Sequence, residues 1–143
     1  MNFRITLFSA LAVLMFTFSS CTKKYADINI SSASASIANG GNKDFGTVIK
    51  GSDEADNKID FVIESSGTKE MNVSSIELSG TNATMFTLDK KNFSSGKIAK
   101  GSSQVFSISL KTATVGDYNA SVIINSDAKE NATYSVDLTG TVQ

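Results

Sequence analysis

The sequence of 143 residues predicts an all-β protein. The predicted fold is an antiparallel sandwich of about seven strands, preceded by an N-terminal signal peptide. After residue 28, apolar and polar residues alternate with a period of two, which is typical of strands with one buried face. Clusters of Gly, Ser, Asn and Asp interrupt these runs at short intervals, as turns between strands do. No stretch of this part has the roughly 3.6-residue apolar period of an amphipathic helix.

Four segments show the alternation most clearly, and we expect each to form a half-buried strand. A further run changes phase at Ser74-Ser75, which predicts a β-bulge, and Ser66-Gly67 is expected to close a hairpin with a positive φ. Residues 28–143 together match the size of one immunoglobulin-like domain. The four segments are Lys58 to Ser65, Ser102 to Lys111, Asp117 to Asn125 and Ala132 to Thr139.

The N-terminus has the features of a lipoprotein signal peptide. Arg4 provides the positive charge before an uncharged, largely apolar run from Ile5 to Phe18, which is too short to span a bilayer comfortably. The small residues Ser19 and Ser20 precede Cys21, whose thiol would accept diacylglycerol after cleavage between Ser20 and Cys21. Because Cys21 is the only cysteine of the chain, disulfides and cysteine-based metal sites are excluded from the mature fold.

We therefore predict a signal peptide over residues 1–20 and a lipidated Cys21 with a short tether, residues 21–27. The tetrapeptide FSSC resembles a lipobox, with Phe18 where leucine is more usual. The alternatives are an ordinary signal peptide with an incidental cysteine, and an uncleaved anchor. Lipid on Cys21 would place the protein in a bacterial cell envelope, on an outer-membrane, periplasmic or surface face. Lys23 and Lys24 would then lie near the lipid headgroups.

Seven short segments form an ordered series along the rest of the chain: Asp44 to Gly51, Ile59 to Thr68, Val73 to Ala83, Phe86 to Leu88, Ile98 to Ile108, Gly116 to Ser126 and Val136 to Gly140. In order and spacing this series resembles one repeat of the hydin-type, or ASH-type, immunoglobulin-like family, known in bacteria as the choice-of-anchor D domain. The chain departs from that family in its Ser/Ala-rich first segment, its charged loop from Gly51 to Asp60 and its lack of proline. The resemblance implies an interaction module with no catalytic residues.

Composition excludes several kinds of function. The chain has no histidine, so Ser-His-Asp and Cys-His catalysis cannot occur. Composition alone permits a carboxylate pair of the glycosidase kind, but nothing in the sequence groups two acids in a recognisable cleft. Residues after position 20 contain 12 lysines, 14 acids and no arginine, which does not favour nucleic acid. Asp44-Phe45-Gly46 matches the kinase DFG tripeptide, but a kinase catalytic loop also needs the motif H-R-D, and the chain has no histidine. Gly46 to Ser52 has the glycine spacing of a P-loop, but the phosphate-binding lysine that should follow Gly51 is missing. We expect no enzyme activity, no cofactor and no small-molecule substrate.

One loop is a weak candidate for a metal site. Asp53, Asp56 and Asp60 offer oxygen ligands of the kind that Ca²⁺ prefers, but without EF-hand spacing, so a solvated loop is the alternative. Six Asn-x-Ser/Thr sequons also occur, and in a chain rich in these residues they reflect composition more than glycosylation. They begin at Asn29, Asn72, Asn82, Asn92, Asn119 and Asn131.

A flat, weakly registered segment near the start of the domain is the candidate surface for a partner. Its small, uncharged residues predict an open sheet edge to which a strand of another protein adds, with a floppy N-terminal strand as the alternative. The predicted function is a non-catalytic interaction or assembly module whose partner is another envelope protein. The alternatives are an adhesive or carbohydrate-binding surface lipoprotein, which the lack of Trp disfavours, and a structural subunit of an envelope complex. The candidate edge consists of Ser31, Ser32, Ala33, Ser34, Ala35, Ser36 and Ile37.

Overall fold

The computed structural model describes residues 23–143, so the predicted signal peptide and Cys21 lie outside the described range. Within that range the chain forms ten strands and two short 3-10 helices, at Glu54–Asn57 and Ala83–Met85, and no α-helix. Neither helix is long and apolar enough to cross a membrane. The strands are β1 Ile28–Ser32, β2 Ala35–Ile37, β3 Gly41–Val48, β4 Ile59–Ser65, β5 Met71–Ser79, β6 Phe86–Asp89, β7 Lys97–Ile98, β8 Ser103–Leu110, β9 Gly116–Ser126 and β10 Thr133–Val142.

The strands form two five-stranded sheets that pack face to face. One sheet has the order β2-β1-β4-β8-β6, and the other has the order β3-β10-β9-β5-β7. The prediction of an all-β, immunoglobulin-like sandwich is confirmed, although ten strands replace the expected seven or so. Two of the additional strands, β2 and β7, contain only three and two residues. Such strands are too short for an alternating pattern to reveal them.

One pair of strands departs from the predicted antiparallel arrangement. β3 runs parallel to β10, from Gly41 opposite Val136 to Val48 opposite Val142, with an irregular register near the end. Gly46 lies in this irregular part with a φ of +69°, a conformation that glycine adopts at little cost. The chain leaves the first sheet after β2 and enters the second sheet at its edge as β3. The sequence did not indicate the direction of β3, because alternation has the same period of two in parallel and antiparallel strands.

Two predictions about local geometry have opposite outcomes. The register between β5 and β9 shifts between Val73 and Ser75, which confirms the predicted bulge. The hairpin predicted at Ser66-Gly67 is wrong, because β4 and β5 lie in different sheets and Gly67 does not have a positive φ. A Cβ atom on residue 67 would instead overlap the carbonyl oxygen of Tyr25. Glycine is therefore required here by the close approach of another segment and not by its own backbone conformation.

The core lies between the two sheets and centres on a pair of phenylalanines. Phe61 on β4 is opposite Phe106 on β8, and their nearly parallel rings have centroids 5.2 Å apart. Both side chains are fully buried, as the alternation predicts. Stacking of this kind stabilises a fold by about 0.5–1.5 kcal/mol beyond the burial of the rings. Buried residues of the second sheet complete the core from the other side, among them Val122, Ile124, Val136 and Leu138.

Two tyrosines on neighbouring strands of the second sheet each use the hydroxyl group as a hydrogen-bond donor. The buried Tyr134 on β10 donates to the carbonyl oxygen of Ile37 at 2.5 Å, which ties the end of β2 to the second sheet. Burial raises the pKa of the Tyr134 hydroxyl, so the group keeps its proton and remains a donor. Tyr118 is half-buried and donates to the carbonyl oxygen of Thr114 at 3.0 Å.

Candidate functional site

The N-terminal segment is fixed to the domain from Tyr25 onward. The Tyr25 amide donates to Thr68 Oγ1 at 2.9 Å, and the Tyr25 carbonyl oxygen accepts the amides of Thr68 and Lys69 at 2.8 and 3.1 Å. Ala26 is 1% exposed, and its carbonyl oxygen accepts the amide of Lys129 at 2.8 Å. The last three residues of the segment expected as a tether, residues 25–27, are therefore hydrogen-bonded to the domain.

This docked segment and two neighbouring loops enclose a groove of about 280 Å³, which we call the lysine groove. Lys69 Nζ lies 3.4 Å from the carboxylate of Asp127, which also accepts the amide of Asn72 at 2.7 Å. The Asn72 amide and the Lys69 charge lower the pKa of Asp127, so this carboxylate stays ionised. Lys129 Nζ lies 5.5 Å from the ring centre of Tyr25, within cation–π range. The groove is lined by Lys23, Lys24, Tyr25, Lys69, Asp127 and Lys129.

The candidate edge over residues 31–37 is a hairpin and not the single flat strand expected. Ala33 and Ser34 have positive φ values of 49° and 66° and form the turn between β1 and β2. β1 pairs with β2 on one side and with β4 on the other, so of the two hairpin strands only β2 lies at an edge of this sheet, whose opposite edge is β6. The sequence did not reveal the turn, because hairpin turns with two positive φ values usually contain Asn, Asp or Gly.

The members of the candidate edge therefore differ in accessibility. Ser31 and Ser32 belong to the interior strand β1, where Ser31 is half-buried and Ser32 is 3% exposed. Within β2, Ala35 and Ser36 are exposed, while the side chain of Ile37 is buried in the core. Of the candidate residues, only those of β2 thus lie at the edge of the sheet, and the carbonyl oxygen of Ile37 among them already accepts the Tyr134 hydroxyl.

Apart from its length of only three residues, β2 lacks the features that usually protect a sheet edge. Its two exposed side chains are uncharged, and no bulge interrupts its pairing with β1. One edge strand of the other sheet, β3, is longer but contains Lys43 and Asp44 and an irregular register at Gly46. Charges and bulges of this kind disfavour the addition of a further strand. Of these two edges, β2 is therefore the more open one.

The acidic loop does not form the metal site that was considered. Asp53 caps the first 3-10 helix by accepting the amide of Ala55 at 2.9 Å, and Asp60 accepts the hydroxyl of Ser107 at 2.6 Å. Asp56 is exposed to solvent. Across residues 23–143, no group of three or more acidic side chains is placed to hold a metal ion. The three weak candidates Asp53, Asp56 and Asp60 therefore do not form such a group, and two of their carboxylates accept separate hydrogen bonds.

A second groove, of about 400 Å³, lies over β3, β9 and β10 and is open and polar. Thr141 donates to Asp117 at 2.7 Å and Thr139 donates to Asp44 at 3.2 Å, so both carboxylates already have partners. No histidine is available there as a general base. Among the aromatic side chains of the described chain, only Tyr25 is exposed, at 38%. The described surface therefore lacks a platform of aromatic rings for sugars, which disfavours the carbohydrate-binding alternative.

Comparison with known proteins identifies the fold and leaves the family unassigned. No family model matches the sequence, and no curated protein matches it. A protein of unknown function from Porphyromonas gingivalis W83 superposes with a TM-score of 0.61 at 12% identity, over 87% of this chain and 51% of the other. This chain thus spans about half the length of that protein. The ASH/PapD-like domain 7 of human CEP192 superposes with a TM-score of 0.55 at 15% identity, over 94% of this chain and 98% of that domain.

A further match is to a family 123 glycoside hydrolase from Clostridium perfringens, with a TM-score of 0.55 at 13% identity. It covers 81% of this chain but only 27% of the hydrolase. At such identities the similarity establishes the fold and does not transfer an activity. Neither the bacterial protein nor the CEP192 domain is described as an enzyme. The chain therefore has an immunoglobulin-like fold that is similar to an ASH/PapD-like domain.

Replacing Gly67 with alanine should release the docked N-terminal segment. The added methyl group would overlap backbone atoms of Tyr25 and Asp27. We expect the free energy of unfolding to fall by about 1–3 kcal/mol, as overpacking usually costs. The amides of Thr68 and Lys69 should also exchange faster, because their acceptor on Tyr25 moves away. Chemical denaturation and hydrogen–deuterium exchange measure these two effects.

Ser66→Ala is the matched control for this substitution, since Ser66 is the exposed neighbour of Gly67. We expect it to change neither the unfolding free energy nor the exchange rates. Unchanged amide exchange in Gly67→Ala would contradict the docking of the N-terminal segment.

Proposed function

We propose that this chain is a non-catalytic lipoprotein of a bacterial cell envelope. In this proposal a lipid on Cys21 holds the protein to a membrane, and the immunoglobulin-like domain binds another envelope protein. The domain acts as an interaction or assembly module. Its similarity to an ASH/PapD-like domain supports a domain of this kind, although the fold itself names no partner.

The position of the only cysteine is the observation that carries the proposal. Cys21 follows the apolar run after two serines and stands four residues before Tyr25, whose backbone amide and carbonyl groups both form hydrogen bonds with the domain. Four extended residues span at most about 14 Å. A lipid on Cys21 would therefore keep the domain against the membrane surface, with almost no free linker between them.

The open edge at β2 is the surface we propose for the partner. A strand added to three residues forms only a few backbone hydrogen bonds, each worth about 0.5–1.5 kcal/mol net. Such an edge binds weakly by itself. Attachment of both proteins to one membrane raises their effective concentration, which compensates for weak contacts. The proposed partner is therefore itself a membrane-attached envelope protein.

Substitution of Cys21 by alanine should abolish lipid attachment. Cells that express the chain and are labelled with radioactive palmitate should incorporate label into the wild-type protein and none into Cys21→Ala, because the acceptor thiol is gone. Gel electrophoresis followed by autoradiography measures the incorporation. Thr22→Ala is the matched control and should keep the label. Label that persists in Cys21→Ala would refute attachment at this residue.

A photo-crosslinking amino acid at position 35 should capture the partner in intact cells. Ala35 is exposed on β2, so a strand that adds to this edge lies within reach of the probe. The adduct should run as a discrete species whose second component mass spectrometry identifies. The same probe at Ala99, an exposed alanine in the turn before β8, is the control and should yield no such adduct. Absence of an adduct at position 35, or equal adducts at both positions, would overturn the proposed edge.

A further inference from the structure

The charges of the described chain are divided unequally along the sandwich. Four segments meet at one end, which we call the anchor end: residues 23–27, 66–70, 97–102 and 127–132. Backbone hydrogen bonds connect them to each other or to adjoining strands. The amide of Lys129 donates to Ala26, and that of Thr68 donates to Tyr25, each at 2.8 Å, while the amide of Gly101 donates to Ser65 at 2.9 Å.

The anchor end is net positive and the rest of the described chain is net negative. The four segments contain six lysines and four acids, whereas the remainder of residues 23–143 contains six lysines and ten acids. A domain with this distribution turns its positive end toward an anionic surface. The charged residues of the anchor end are Lys23, Lys24, Lys69, Lys97, Lys100 and Lys129, with Asp27, Glu70, Asp127 and Glu130.

The lysine groove concentrates this positive charge. Four of the six lysines line it, together with a single carboxylate, that of Asp127. That carboxylate is engaged by the Asn72 amide and by Lys69, so the other lysines of the groove are left to face an anion. The exposed ring of Tyr25 lies in the same place. Tyrosine is one of the side chains that favour the headgroup level of a bilayer.

The groove also lies close to the proposed anchor. Lys23 is two residues from Cys21, a span of at most about 7 Å. The carbonyl oxygen of Lys23 lies 3.5 Å from the Thr68 hydroxyl, so this residue is next to the loop that carries Lys69. A lipid on Cys21 would consequently place the ammonium groups of the groove among the phosphates of the surrounding headgroups.

We propose that the lysine groove binds the phosphate groups of anionic phospholipids and holds the domain with its anchor end against the bilayer. The orientation part of this proposal rests on the proposed lipid anchor. The membrane surface, and not a second protein, is the occupant of the groove. The opposite end of the sandwich, where Ile49 and Val115 are 62% and 57% exposed, then points away from the membrane.

Reconstitution of the full mature protein, isolated from the envelope, tests the proposal. Vesicles of phosphatidylcholine are compared with vesicles that also contain phosphatidylglycerol. A fluorophore on Ser66→Cys, in the anchor end, donates energy to an acceptor on lipid headgroups. Because Cys21 is the only native cysteine, its lipidation leaves the introduced thiol as the single labelling site. We expect stronger energy transfer in the anionic vesicles and loss of this excess at about 1 M salt, where screening extends over only about 3 Å.

The double variant Lys69→Gln with Lys129→Gln should weaken the contact with the anionic surface. Each lysine near such a surface changes the ratio of bound to free domain by about fivefold, so the pair should lower it by about 25-fold. Lys50→Gln with Lys111→Gln makes the same change of charge at the opposite end and serves as the control. Equal energy transfer for wild type in both kinds of vesicle, or equal losses in the two double variants, would overturn the proposal.

Flotation of the same vesicles separates this test from that of the anchor. Wild-type protein that floats with neutral vesicles, but shows no excess transfer in anionic ones, retains the anchor and contradicts the groove. Protein that fails to float with neutral vesicles contradicts the anchor. If that protein still binds anionic vesicles, and the Lys69 and Lys129 substitutions abolish this binding, the groove is supported without the anchor.

Discussion

The passage of the Tyr25 to Asp27 backbone across Gly67 is the contact on which the functional arrangement depends. The segment has no strand of its own, yet four amides from two distant loops donate to its carbonyl groups: those of Ser66, Thr68, Lys69 and Lys129. Such an approach needs a residue without a side chain at position 67. Because the segment is bound, Lys23 and Lys24, which precede it, lie on the same surface as Lys69 and Lys129 of the two loops.

The sandwich behind this contact gives it a rigid support. The stacked Phe61 and Phe106 join the two central strands of the first sheet, and the Tyr134 hydroxyl ties the β1–β2 hairpin to the second sheet. The chain then enters the second sheet at its edge as β3. This crossing leaves β2 at one edge of the first sheet, with no further strand paired beside it. The same connection thus produces both the parallel pair and the proposed binding edge.

Most of the strands could be predicted from the sequence, because one buried face imposes a period of two on the side chains. The bulge at Ser74-Ser75 was predicted from a change of phase in the same pattern. The turn at Ala33-Ser34 was missed, since neither residue is typical of a positive φ. The role of Gly67 and the lysine groove could not be predicted, because they depend on contacts between segments about 40 to 100 residues apart in the chain. Local patterns contain no information on such contacts.

The three proposals describe one arrangement, in which a lipid, a basic surface and an open strand edge each have a separate task. The lipid would give attachment, the lysine groove orientation, and β2 the contact with a partner. A docked segment at Tyr25 is necessary for all three to act as one rigid unit, since a free linker would uncouple the domain from its anchor. We expect a partner to bind β2 only weakly. Coupling the domain rigidly to its anchor would therefore matter most for this contact, because it raises the effective concentration of the two proteins at the membrane.

Backbone ¹⁵N relaxation of the mature protein tests this docking most directly. For the amides of Tyr25, Ala26 and Asp27 we predict order parameters near 0.85, like those of the rigid strands. The values should fall only before Tyr25, at Lys24 and Lys23. Order parameters below about 0.6 at Tyr25 and Ala26 would show a flexible tether and contradict the arrangement.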